Sequence, residues 1–517
     1  MPTKPGDFVR RFQALGVEDA CGIGTPIGCS GCKTQKRCEP LRVETPREYA
    51  GIRLTADGFD CALPVTIDSH SACSYECAYC FSEQLMGHLD TKAKPLGQTS
   101  LRKIESIFSG GGGKFGAIVR KALRYDKKDP FPCPVQLGGI NDPCDSIERQ
   151  QGWLKEFIRL AIKYQQPVRV STKGTVLSDP DYLELLAEAP HLFWVTFSTN
   201  TPDDKLAMKV DAMAPPPSAR IATMKALHEV GCKVALRMRP IYPGLSDATP
   251  SYPQAYRTLI EMAADAGAVA VSAEVGFVPM RFTAQQRAKW EKMERTIGVP
   301  LKDIYKQLGK SATCLRPSYA WTEQIMHAIR DVTHEHGMVL GVSDPAWKQL
   351  TDSGCCCGML PDDPVFGNWE PENATNRLLE ASRATTEEGK LIRLEDITPP
   401  WAHDMLQSQL CNMGAGPKTI WDKRHTTWAD KLAEIWNEPG RERSPLHYFQ
   451  GALEPVEVDG AVLYRYVGLK RQHPERTPYW DIRSTGDRPS KEKHGRQRKR
   501  RAQPKAPADK PTDGAGR

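Results

Sequence analysis

Residues 73 to 80 read CSYECAYC, which sets Cys73, Cys77 and Cys80 in one short stretch with Tyr79 just before the last. Thiolates this close together hold metal. A closed [4Fe–4S] site takes four of them, and a structural zinc is completed to four-coordinate by a further Cys or His. The nearest additional side chains, His70 and His88, stand at no familiar zinc spacing. Three thiolates at C-x3-C-x2-C therefore leave one iron of a cubane without a protein ligand. Two other cysteine groups invite the same question. Cys21, Cys29, Cys32 and Cys38 supply four thiolates, enough for an auxiliary iron–sulfur cluster or a zinc site, with irregular reduced thiols as the alternative. Cys355, Cys356 and Cys357 are adjacent and point in different directions, so one metal does not take all three. They are read as joining the N-terminal set or as offering a hydrogen-donating thiol. Cys61, Cys133, Cys232, Cys314 and Cys411 read as small buried hydrophobes.

The elements that must position these groups change character along the chain. Residues 1–60 are rich in Gly, Pro and Cys and form an N-terminal extension. From about residue 62, short apolar runs alternate with helical stretches, the signature of parallel βα units. Strands are predicted at 62–68, 134–140, 167–172, 192–198, 233–241 and 268–275, with helices at 146–164, 179–189, 218–230 and 250–266. Six such units imply an α/β fold, a partial (β/α)6 TIM-like barrel whose chemistry sits at the C-terminal strand ends. A further helix-then-strand unit at 322–344 closes the module, giving a barrel domain over 61–345. Residues 346–481 form a mixed C-terminal extension with the cysteine triplet, a Trp-containing helix near 417–437 and a hairpin at 456–466 turning at Asp459-Gly460. Trp421, Trp428 and Trp436 read as core, and GGGG at 110–113 as a flexible linker. His327, His334 and His336 stand at no familiar metal-ligand spacing.

The cysteine stretch follows the first strand directly, on a βα loop at the barrel mouth. Cys73-x3-Cys77-x2-Cys80, with Tyr79 before the third, resembles the signature of the radical S-adenosylmethionine superfamily. In that family the open iron binds the amino and carboxylate groups of S-adenosylmethionine, and one electron cleaves it to methionine and a 5′-deoxyadenosyl radical. GGINDPCDSIE (138–148), VSTKGTVLSDPDYL (170–183), FSTN (197–200), DAMAPPPSARI (211–221) and RPIYPGLSD (239–247) resemble the successive motifs of its spore-photoproduct-lyase-like subgroup, over roughly residues 62–280. The resemblance implies a [4Fe–4S] cluster on Cys73, Cys77 and Cys80, with S-adenosylmethionine as cofactor. It implies that Asn141 touches the cofactor with Asp142 as the acid beside it. Lys173 would meet the cofactor carboxylate, Ser198 the ribose or carboxylate, and Tyr79 the adenine. A zwitterionic, ribose-bearing ligand needs such a cation, hydroxyls and an aromatic platform. A one-electron reductant such as flavodoxin or ferredoxin is implied as partner.

Lyases of this subgroup repair a thymine dimer in DNA. Related viral enzymes rearrange a modified thymine, turning an N-linked glycine substituent into a C-linked one. No motif assigns a hydrogen-donating cysteine, since Cys144 lies in the cofactor loop. The resemblance therefore points first to isomerisation of a thymine derivative in DNA. A repair lyase and a radical enzyme acting on a peptide are the alternatives, with a zinc-stapled nucleic-acid-binding protein as the non-enzymatic one.

Charge agrees with a DNA substrate. The 517-residue chain has a net charge of +7, but residues 482–517 alone carry twelve Lys or Arg against four Asp or Glu. That segment is therefore +8 and the remainder about −1. Its composition reads as a disordered basic tail, either a phosphate-binding arm or a solubiliser. No stretch approaches the ~18 apolar residues of a membrane span. The start, MPTKPGDFVRR, lacks the apolar region of a signal peptide. The expectation is a cytoplasmic protein, in the host cytoplasm if viral, and its sixteen cysteines read as reduced thiols.

Overall fold

The computed structural model describes residues 47–54, 63–80, 82, 96–125, 130–307, 314–352, 355–360, 362–367, 373–388, 390–403, 427–439 and 444–468. Cys21, Cys29, Cys32 and Cys38, with the basic tail, Trp421 and His88, lie outside them. At the centre is one eight-stranded sheet. In chain order its strands are β1 (Ile52–Leu54), β2 (Val65–Ile67), β3 (Val135–Leu137), β4 (Val168–Thr172), β5 (Phe193–Ser198), β6 (Lys233–Ile241), β7 (Ala270–Val275) and β8 (Val339–Val342). They lie side by side in that same order. All neighbours pair in parallel except β1 with β2.

Each parallel step needs a crossover, and amphipathic segments supply it. Leu154, Phe157, Ile158 and Ala161 fall on one face of α1 (Trp153–Lys163) and are buried there. The predicted helix 146–164 is in fact broken. Gly152 sits at φ 63°, ending a short turn at Glu148–Gln151 before α1 begins. Glu148 then caps α1, accepting from the backbone N–H groups of Leu154 (2.8 Å) and Lys155 (3.3 Å). Further crossovers are α2 (Pro180–Ala187), α3 (Pro217–Glu229), α4 (Ala255–Asp265) and α5 (Tyr319–Glu335). The unit at 322–344 appears as α5 and β8, the latter on the outer side of β7. The sheet also recruits β1, from the span read as N-terminal extension. Gly110 to Gly112 do not form a linker; they turn the chain between helices at Leu101–Phe108 and Gly113–Ala122.

Strand residues paired directly across neighbouring strands share a face. On one face, Val170, Val195 and Val234 belong to the apolar core beneath the crossover helices. The opposite face is polar, with Ser198, Arg237, Ser272 and Gly341 in line across β5 to β8. Residues 355–360 and 362–366 of the C-terminal extension lie over it. Ser272 Oγ donates to the Cys356 carbonyl (2.6 Å), Phe366 packs on Trp194 with ring centroids 5.7 Å apart, and Asp363 pairs with Lys233. Gly341 permits the approach: a Cβ there would lie 2.5 Å from the Gly358 nitrogen and 2.8 Å from the Cys355 carbonyl oxygen. The triplet is thus a buried strap on the polar face. Trp428 and Trp436 are core residues, and the hairpin turns at Asp459-Gly460, both with positive φ. Among the described residues no helix is long and apolar enough to cross a membrane.

Candidate active site

Directly after β2, the chain from Asp68 to Cys80 crosses the C-terminal ends of the parallel strands. Short local bonds hold it there. Asp68 accepts from the N–H groups of Gly139 and Ile140 (2.8 Å each) and pairs with Arg53, fixing the start of the loop to the loop after β3. Asp145 accepts from the Ser74 N–H (2.8 Å), and the Tyr75 hydroxyl donates to the Cys144 carbonyl (2.9 Å). At its far end Ala78 donates its N–H to the Val210 carbonyl (3.0 Å), and Cys77 bridges to Asp211.

Cys73, Cys77 and Cys80 all lie on this segment, partly exposed, and none is in a disulfide. Burial, then Asp145 and Asp142, pushes the Cys73 thiol well above its ordinary range. Burial likewise raises Cys77, although Lys173 opposes it. Such thiols stay protonated unless bound metal holds them as thiolates. Three thiols on one loop are a donor set for an iron–sulfur cluster, in which each thiolate binds a different iron.

Beside the loop is a buried ionic network. Lys173, at the end of β4, donates Nζ to Asp211 Oδ2 (2.6 Å) and to the Tyr79 hydroxyl (2.5 Å), lying 4.7 Å from the Tyr79 ring centroid. The Tyr79 hydroxyl donates to Asp211 Oδ1 (2.5 Å) and accepts from Asn200 Nδ2 (2.7 Å). Arg220 on α3 reaches Asp211 Oδ2 (3.1 Å) and the Ser198 carbonyl (2.7 Å). Burial works against the Asp211 charge, but Lys173 and Arg220 beside it hold its carboxyl down at about 2.

The five residues expected to meet a cofactor are all at these strand ends, but not all are available. Asn141 donates Nδ2 to Ser69 Oγ (2.8 Å), while its buried Oδ1 has no hydrogen-bond partner among the described residues. Asp142 is turned away from it, accepting from Thr172 Oγ1 (2.6 Å) and the N–H groups of Lys173 (2.6 Å) and Cys144 (3.0 Å). Its carboxylate ties the β3 loop to the end of β4. Burial raises its pKa despite these bonds. Ser198 Oγ accepts from Arg237 Nη1 (3.1 Å). Lys173 is already paired, and Tyr79 holds a polar network with its hydroxyl. Asp211, Arg220, Asn200 and Arg237 were not singled out from the sequence. Asp211 and Arg220 open and close the run DAMAPPPSAR, yet only the fold brings them to Lys173 and Ser198.

Residues 68–251 match the model of the Radical SAM superfamily. A domain of that superfamily implies a [4Fe–4S] cluster and S-adenosylmethionine as cofactors. Relatives include uncharacterized proteins of Mycobacterium tuberculosis and Mycobacterium bovis, 26% identical over 215 residues. The match takes in 41% of this chain and 58% of theirs, so it spans little more than half the length of those relatives. Similar solved structures include spore photoproduct lyase complexed with dinucleoside spore photoproduct, at 14% identity and TM-score 0.43, covering 65% of this chain and 94% of that one. Streptococcus suis SuiB bound to S-adenosylmethionine matches at 13% identity and TM-score 0.33, covering 54% and 49%. Likenesses this low bear on neither substrate nor reaction.

The residues present fit the implied group. Three thiols share one loop, and the unpartnered Asn141 Oδ1 is the kind of acceptor an amino or hydroxyl donor of a bound ligand would satisfy.

Proposed function

We propose that this radical SAM enzyme acts on DNA and isomerises a modified thymine, moving a glycine substituent from an N-linked to a C-linked attachment. The observation that carries the radical chemistry is the three-cysteine loop at the C-terminal end of the first parallel strand, beside Lys173, Tyr79 and Ser198. When bound, the cluster and S-adenosylmethionine supply the 5′-deoxyadenosyl radical, with the electron coming from a flavodoxin- or ferredoxin-class reductant. In this reading Cys73, Cys77 and Cys80 hold the cluster. Asn141 and Ser198 face the cofactor, and Lys173 reaches its carboxylate by exchanging part of its pairing with Asp211. Asp142 acts one step removed, by fixing the Asn141 loop. Tyr79 orients Lys173 through its hydroxyl and presents its ring. The substrate reading is supported by the run of motifs between residues 138 and 247 and by the +8 segment at 482–517. Chemistry on a base also requires taking it out of the stack.

A repair lyase is the second reading, and one observation favours it. Cys356 lies on the polar face of the sheet, its carbonyl 3.2 Å from Arg239 Nη2 and its thiol beside that guanidinium, so a cysteine is present in the interior. Oxygen-free reconstitution with S-adenosylmethionine and reductant separates the two. Formation of 5′-deoxyadenosine is measured with plain DNA, DNA containing spore photoproduct and DNA containing glycine-substituted thymine, followed by nucleoside analysis. Stimulation by the glycine-substituted DNA with an isomer of unchanged mass is the expected result. Stimulation by the dimer alone makes the enzyme a lyase, and indifference to all DNA refutes both readings in favour of a peptide substrate.

A further inference from the structure

The polar face of the sheet carries more positive charge than its neighbours neutralise. Arg169 on β4 is 2% exposed, and its Nε and Nη2 have no hydrogen-bond partner among the described residues. Arg237 on β6 spends Nη1 on Ser198 Oγ at 3.1 Å and leaves its buried Nε without one. Arg239, two residues on and so on the same face, lies 3.6 Å from Glu274 and donates to the Cys356 carbonyl. Asp344 is taken up by Arg316 and by the Val275 N–H. Among the described ion pairs neither Arg169 nor Arg237 has a carboxylate. Burial, then Arg239 and Arg169 beside it, brings Arg237 down to about 9, although Glu274, the carboxylate near Arg239, partly opposes the shift.

A buried guanidinium without a counter-charge is strongly unfavourable. Two on one sheet face, one of them bonded to the serine at the end of β5, are what an anion-binding site looks like before its anion arrives. The fork of a guanidinium matches a two-oxygen anion. Lys173 is held by Asp211, so the uncommitted positive charge beneath the strand ends belongs to the arginines.

We propose that Arg169 and Arg237, with Arg239 behind them, form an oxyanion subsite that takes the carboxylate of the substrate's substituent. This rests on the thymine-isomerising reading, because a glycine substituent brings a carboxylate next to the reacting base, whereas a thymine dimer brings only phosphodiester oxygens. The oxyanion chemistry itself depends only on the arginines.

Two measurements on the reconstituted full-length protein test it. In the first, thermal midpoints are recorded in sodium acetate, inorganic phosphate and chloride at equal ionic strength, for wild type, Arg169→Met and Arg237→Met. The subsite predicts that acetate raises the wild-type midpoint and that both variants lose most of that rise. It also predicts that Arg169→Met in chloride melts no lower than wild type, because an unpaired buried charge has been removed. An acetate effect that is absent, or equal in all three proteins, overturns the proposal. An effect of phosphate without acetate overturns the carboxylate assignment in favour of a phosphodiester. In the second, binding of an oligonucleotide with glycine-substituted thymine is compared with its neutral glycinamide counterpart. Wild type is expected to prefer the carboxylate by at least about tenfold, and Arg169→Met to lose the preference with S-adenosylmethionine affinity unchanged. A selective fall in S-adenosylmethionine affinity instead would assign the arginines to the cofactor and overturn the proposal. Acetate protection that needs the arginines, with no preference between the oligonucleotides, supports the subsite and refutes the thymine reading.

Discussion

Asp211→Asn isolates what holds the cysteine loop to the sheet. The substitution keeps the side chain's shape and removes its charge, leaving Lys173 and Arg220 without their shared buried carboxylate. Two routes bound the cost. Asp211 drops from the ordinary 3.8 to about 2 in the folded chain, burial being outweighed by Lys173 and Arg220. At about 1.4 kcal/mol for each tenfold change, this is worth about 2–3 kcal/mol near neutral pH. Breaking a buried pair by deleting one partner costs about 3–5 kcal/mol. A loss of about 2.5–5 kcal/mol is therefore expected in urea denaturation at pH 7. The folded pKa is depressed, so this contribution is present above about 3.8 and lost as pH falls through about 2. The gap between variant and wild type should accordingly stay constant from pH 5 to pH 8. A double-mutant cycle with Lys173→Met supplies the control, since with both ends gone the total should fall well short of the sum. A loss under about 1 kcal/mol, or strict additivity, would refute the account of the network.

Other perturbations read other parts of the structure. Cys77→Ala should bind little iron on reconstitution and form no 5′-deoxyadenosine while its far-ultraviolet circular dichroism stays unchanged; retained cleavage would remove the cluster assignment. Glu148 is buried, which raises its carboxyl to about 7 despite the Tyr182 hydroxyl and the α1 N–H groups. A raised folded pKa means that stability is lost as pH climbs from about 4.5 through about 7, by up to about 3 kcal/mol. Glu148→Gln should flatten that slope in denaturation series, and an unchanged slope would assign it elsewhere. Gly341→Ala should cost about 1–3 kcal/mol by lifting residues 355–358 off β8, exposing Cys355 to Cys357 to thiol reagents; unaltered labelling would contradict that packing. Truncation after Asp481 should weaken DNA affinity and reduce its salt dependence, and an unchanged salt slope would leave the segment a solubiliser only.

The barrel was legible because its signals are local. A run such as VRVST is buried along its whole length, as parallel strands covered on both faces are, and it reads as a strand from its residues alone. The amphipathic spacing of α1 is equally local, whereas its break at Gly152 follows from one backbone angle within a continuous helical pattern. The cysteine loop was legible because all three thiols sit within eight residues, so spacing and chemistry coincide. The triplet at 355–357 was not. Its environment is made by Gly341, Ser272 and Arg239, which no local pattern joins to it.

The sequence alone determined the order of the strands, the three-thiol loop after the first parallel one and the concentration of positive charge at 482–517. Each is written in residues that are neighbours along the chain. Only the tertiary structure decided which charges are satisfied. It gave Asp211 to Lys173 and Arg220, turned Asp142 to the end of β4, and left Arg169 and Arg237 outside every ion pair among the described residues. Pairing of that kind depends on distances between segments tens of residues apart, and a parallel sheet fixes those distances only once every crossover has been made.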